Sequence, residues 1–135
     1  EIVFGPLPEK EYARYTSRGV VEPLRRTIIV NAGLQQSDPK AIAALIVHEG
    51  MHLKDDLAGA EKRTIESCLQ FEIRAFTQQG QVWQTFYGPD GKEQPKDALD
   101  GWLNSWLDAY HQGPGELDKR VREYYWQPRP TGCLP

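Results

Sequence analysis

From Ala41 to Val47 the chain carries no polar side chain, and within the next five residues it places His48, Glu49 and His52. Ser37-Asp38-Pro39 stands just before this run. Ser37 or Asp38 suits a helix N-cap, and Pro39 suits the first helical turn. A helix that is apolar all round has to be buried on every side, so the three ionisable groups that follow are drawn inside with it. Leaving two imidazoles and a carboxylate there without partners costs on the order of several kcal/mol each. A bound metal ion compensates all three at once.

The spacing supports that reading. His48 and His52 are four residues apart, so on a helix they lie about 40° apart around the axis and about 6 Å apart along it. Two imidazoles so placed can grip one Zn²⁺. Glu49 is rotated by about 100° from His48, beside the metal without ligating it. In that place it can take a proton from a metal-activated water. The pattern His-Glu-x-x-His is that of zinc peptidases, in which the glutamate is the general base. The competing reading is a coincidental match, which is weakened because two of only three histidines in the chain bracket this glutamate.

A catalytic zinc needs a third protein ligand and one open position. The continuation His-x-x-Gly-x-x-His is excluded, since Asp55 and Ala58 stand where it needs glycine and histidine. A second helical stretch then holds Glu72 between Phe71 and Ile73, 20 positions after His52. A carboxylate in that setting pairs with an arginine or binds a metal. On His48-Glu49-Gly50-Met51-His52 and Glu72-Ile73-Arg74-Ala75, roughly the central fifth of the chain, the sequence resembles the gluzincins, and among them the minimal one-domain members. The resemblance implies a zincin-like peptidase domain over residues 1–135, with Zn²⁺ held by His48, His52 and Glu72, and a peptide or protein as substrate. Glu66 is the rival third ligand, out of step with Glu72 around the helix. The chain departs from the thermolysin-like branch at Phe76, where an aspartate would orient a ligand.

Length and composition set outer limits. One domain of ordinary size is expected from 135 residues, and a monomer with it. A net charge of −3 and a pI near 5.6 give no reason to expect nucleic-acid binding. No apolar run reaches the roughly 18 residues of a membrane span. The first residue is Glu1 rather than Met, which suggests a processed or trimmed chain. Cys68 and Cys133 are the only cysteines. Joined, they would staple the Pro-rich tail to the second helix and place the protein outside the reducing cytosol, extracytoplasmic or secreted. Two unpaired thiols, or Cys68 as a metal ligand, are the alternatives.

Read in order, residues 1–11 form an irregular lead-in. Extended runs at Tyr12–Tyr15 and Val20-Val21 precede Thr27–Val30, the strongest strand by β-branching. That last strand is either a plain core strand or the cleft edge with which gluzincin substrates pair. Helices are expected over residues 38–57, 60–86, 96–112 and 116–126, with Gly88-Pro89-Asp90-Gly91 as a turn. The fold class is therefore α+β: a mostly helical single domain with a short N-terminal hairpin or small sheet packed on the helix of His48. The apolar face of Leu99, Trp102, Leu103, Trp106 and Leu107 reads as core. Gly50 inside the first helix leaves room for substrate or for close packing.

The resemblance also implies an oxyanion donor, a His or Tyr beyond the third ligand. Tyr110 and His111, at the end of the third helix, are the first candidates, with Tyr87, Tyr124 and Tyr125 behind them. A surface histidine at a helix C-terminus is the plainer reading of His111. Asp55, Asp56 or Asp108 could orient a ligand histidine. A module that binds zinc without catalysis is the rival function; Glu49, useless for coordination, argues against it.

Overall fold

Thr27–Asn31 supplies four successive buried residues, Thr27, Ile28, Ile29 and Val30. It also has neighbours on both edges. In the structure, a computed structural model describing residues 1–17, 26–60, 64–129 and 132–135, it is the middle strand of a three-stranded sheet. We number the strands β1 (Ile2–Gly5), β2 (Ala13–Thr16) and β3 (Thr27–Asn31), in the spatial order β1-β3-β2. β1 runs parallel to β3 with Ile2 opposite Ile28, and β2 runs antiparallel with Ala13 opposite Val30.

Two expectations are corrected here. The lead-in contains β1, and Gly5 and Pro6 end that strand instead of preventing it. β3 is central, so no substrate can pair with its edge; β2 is the outer strand packed toward the first helix. The run Val20-Val21 lies outside the described residues, as do Glu61, Lys62 and Arg63.

Among the described residues four α-helices follow: α1 (Pro39–Leu57), α2 (Ile65–Tyr87), α3 (Ala98–His111) and α4 (Pro114–Tyr125). Asp38 caps α1 by accepting the Lys40 N–H at 2.9 Å, with Pro39 in the first turn. α2 starts at Ile65 because Thr64 and Ser67 form a reciprocal capping box. The domain is α+β and mainly helical, as expected. Its core has two parts. Ala41, Ala44, Leu45, Trp83, Leu99, Leu103 and Leu107 join α1, α2 and α3. Leu69, Phe76, Trp106, Leu117 and Val121 join α2, α3 and α4. The Cys68–Cys133 disulfide forms, with Cα atoms 5.7 Å apart, and ties the C-terminal tail to α2. No described helix is long and apolar enough to cross a membrane.

A buried ionic knot locks the far end of the helices. Lys92 Nζ donates to Asp38 Oδ2 at 2.9 Å and to Asp100 Oδ2 at 2.6 Å, and the Tyr87 hydroxyl also donates to Asp38. The Lys92, Asp38 and Asp100 side chains are 11%, 13% and 1% exposed. Burial alone would raise the Asp38 pKa. Hydrogen bonds from Tyr87, Lys92 and the Lys40 N–H outweigh it and hold the carboxyl at about 2. Removing one partner of a buried pair leaves an uncompensated charge. Lys92→Met should therefore lower unfolding free energy in urea at pH 7 by about 3 kcal/mol, the low end for such losses because some exposure remains. The depressed Asp38 pKa adds stability that is present above its unfolded value near about 4 and is lost as pH falls toward 2. The gap between variant and wild type should narrow over that window; a pH-independent gap would show that Asp38 does not contribute through its charge.

Candidate metal centre

His48 and His52 leave α1 on one side, as four-residue spacing on a helix requires. α2 packs against α1 and brings Glu72 to them. Glu72 Oε2 lies 3.4 Å from His48 Nε2 and 3.3 Å from His52 Nε2. The three side chains are 6%, 10% and 7% exposed, and one ligand atom from each lies within 4.8 Å of the others.

These distances discriminate between two uses of the trio. A charge-assisted N–H···O bond is about 2.7–2.9 Å long. Two ligands at about 2.0–2.2 Å from one tetrahedral Zn²⁺ stand about 3.3–3.5 Å apart. Both His–Glu distances match the second geometry. The donor set, two imidazole nitrogens and a carboxylate oxygen, is also that of a catalytic zinc. Among the described residues no other group of His, Cys, Asp or Glu converges in this way.

Phe76, where the resemblance would place an aspartate, packs its ring edgewise on His48 with centroids 4.5 Å apart and stacks on Trp106 at 3.7 Å. Aromatic packing thus orients this imidazole. The three aspartates considered for that task are engaged elsewhere. Asp55 pairs with Arg74 at 3.0 Å, Asp56 accepts from Tyr15 Oη at 2.7 Å, and Asp108 accepts from Gln112 Nε2 at 2.8 Å. Glu66 is occupied too. Arg122 grips it with two hydrogen bonds of 2.7 and 2.8 Å, and Gln70 adds a third. Those bonds, Arg122 first, lower its pKa to about 2 on an exposed surface away from the cluster.

The cluster opens into a cleft of about 700 Å³ lined by β2, by α1 and α2 at the histidines and Glu72, by Trp102 of α3 and by the end of α4. Glu49 faces this cleft, and its Oε2 accepts the Tyr15 backbone N–H at 2.8 Å. The outer edge of β2 therefore aims the carboxylate, a contact the sequence reading missed. A Cβ on Gly50 would meet nothing within 4 Å, so close packing is not what keeps this position small.

Neither Tyr110 nor His111 lines the cleft. The Tyr110 ring packs onto Gly80, where an added Cβ would come within 3.1 Å of it. Gly80 is two turns past Glu72, about 12 Å along α2. The ring is used up in the contact between α2 and α3, while His111 is exposed. The phenol at the cluster is Tyr125, the last residue of α4. It lines the cleft together with Glu72, its ring set edgewise to Phe76 with centroids 6.1 Å apart. Burial first, then the charges of Glu72 and Glu49, push its pKa well above the ordinary phenol value and keep it an O–H donor. Tyr124 lines the cleft beside it. Only the tertiary arrangement of α4 over α2 singles out Tyr125 from the six tyrosines of the chain.

Comparison of the chain with protein-family models, with curated proteins and with solved structures finds no match to any of them.

Proposed function

We propose that this protein is a zinc-dependent peptidase of gluzincin type. The observation that carries the reading is the pair of His–Glu distances, 3.4 and 3.3 Å, in a buried two-histidine, one-carboxylate cluster with Glu49 at its mouth. His48, His52 and Glu72 would hold the ion. Bound there, Zn²⁺ supplies Lewis-acid activation of water and of a scissile carbonyl.

The rest of the chemistry falls to side chains of this chain. Glu49, aimed by the Tyr15 N–H, accepts the proton of the attacking water and passes it to the leaving amine. The Tyr125 hydroxyl is the donor for the developing oxyanion. An extended substrate entering the cleft meets β2, which lines it, rather than the enclosed β3. The disulfide favours work outside the reducing cytosol.

Metal analysis combined with cleavage of a denatured-protein library tests the proposal. About one Zn²⁺ per chain is expected, together with new peptide termini by mass spectrometry. Cleavage should stop with 1,10-phenanthroline and return on adding Zn²⁺. Zinc without cleavage would leave a zinc-binding module, and no zinc uptake would overturn the site itself.

A further inference from the structure

We infer that the Cys68–Cys133 disulfide is a positioning device for the metal site, holding Tyr125 against Glu72. Cys68 and Glu72 are one turn apart on α2. At the other end of the bridge, the Cys133 N–H donates to the Tyr125 carbonyl at 2.9 Å. The Gln127 N–H donates to the same carbonyl at 2.8 Å, and the Leu134 N–H to the Gln127 carbonyl at 3.0 Å. The tail thus folds back to satisfy a carbonyl that the end of α4 leaves without a helical partner. The bridge then fastens that folded tail to the helix carrying the carboxylate ligand. Both sulfur-bearing residues are buried, Cys68 4% and Cys133 1% exposed.

At this end of α4 the Tyr125 ring packs against Phe76, centroids 6.1 Å apart, and Tyr124 against Trp106 at 5.7 Å; none of these contacts ties the chain beyond Tyr125 to α2. The buried anchors of α4, Leu117 and Val121, precede Tyr125 by two turns and one. The Glu66–Arg122 pair is exposed, and surface pairs contribute about 0–1 kcal/mol. Helix ends held by few buried contacts open locally at low cost. Without the bridge, the last turn of α4 frays and the phenol leaves Glu72, while the histidines, carried by α1, stay in place.

The test compares wild type with Cys68→Ala/Cys133→Ala, first as metal-free protein. Nuclear Overhauser contacts from a selectively labelled Tyr125 ring to Glu72 and Phe76 should disappear in the variant. The contact between His48 and Phe76, 4.5 Å apart between ring centroids, should persist. Intact Tyr125 contacts in the variant would overturn the proposal. If the variant also loses the His48–Phe76 contact, wild type reduced with a phosphine is read in its place; loss of both contacts there makes the bridge a general staple and overturns the proposal.

The kinetic arm alone rests on the peptidase reading, so its failure is distinguishable from failure of the positioning itself. There the cysteine variant should lose at least about tenfold in kcat with KM little changed, toward the roughly 10²-fold loss typical of removing one oxyanion donor. Combined with Tyr125→Phe, the cysteine substitutions should cost nothing further, because both act through one hydroxyl. Additive losses would show that the bridge does not act through Tyr125.

Discussion

Glu49→Gln should lower peptide hydrolysis by about 10²–10⁴-fold, the usual contribution of a positioned general base, with zinc content and thermal midpoint unchanged. The amide occupies the volume of the carboxylate, and its oxygen can still accept the Tyr15 N–H now bonded to Oε2 at 2.8 Å. The side chain therefore keeps its place on the cleft wall and loses only its capacity to take a proton. Because Glu49 is not among the three converging ligand groups, metal binding should not follow activity down. Turnover of a fluorogenic peptide, with metal content measured on the same samples, checks both halves. Wild-type rates in the variant would remove Glu49 from the mechanism. Lost zinc would make it a ligand.

Glu72→Ala should have the larger effect on the metal and on the fold. It removes one of the three proposed ligands outright, so zinc affinity should fall by more than the roughly 10–100-fold seen when only a partner of a ligand is lost. On the proposed ligand set, zinc would bind the assembled α1–α2 pair and not the unfolded chain, and would stabilise wild type by mass action. At a free concentration about 100 times Kd that stabilisation is about 2.7 kcal/mol. At the same concentration Glu72→Ala should gain almost none of it. Glu66→Ala should keep all of it, because Glu66 is bonded to Arg122 and Gln70 away from the cluster. Calorimetric unfolding with and without zinc, beside a titration of the ion, makes the comparison. Full zinc occupancy in Glu72→Ala would remove this residue from the ligand set.

Much of the candidate site was legible before any coordinates because its spacing is local. The four-residue step from His48 to His52 sets their common face by helix geometry alone, wherever that helix lies. Asp38 and Pro39 mark the start of α1, but the burial on every side expected of Ala41–Val47 is not what forms. Of α1 only Ala41, Ala44, Leu45 and His48 are buried, while Ile42, Ala43, Ile46, Val47 and Glu49 are half-buried because α1 packs against the rest of the domain on one side. Glu72 could be picked from its apolar neighbours and from the resemblance to gluzincins, whose third ligand lies about this far downstream. The structure agrees by bringing its carboxylate to the two imidazoles while Glu66 stays on the surface. The two cysteines, one in a helix and one in an otherwise unsupported tail, also pair as expected.

What the sequence could not supply were the relations between elements distant along the chain. The β-branched residues of Thr27–Val30 announce a buried strand, but nothing in them tells whether one neighbour or two will cover it. That depends on β1 arriving in parallel from a segment containing Gly5, Pro6 and Pro8. Tyr110 and His111 looked suitable because they end a helix, and Tyr125 ends one as well. Gly80 admits the Tyr110 ring into the contact between α2 and α3, and the bridge from Cys68 to Cys133 carries the end of α4 over Glu72. Residues three or four apart on one helix are neighbours through bond geometry, so the sequence by itself determined the two histidines and their glutamate. Residues on different elements become neighbours only through the packing of whole helices, so the aiming of Glu49 by β2, the seating of His48 on Phe76 and the approach of Tyr125 were decided by the tertiary structure.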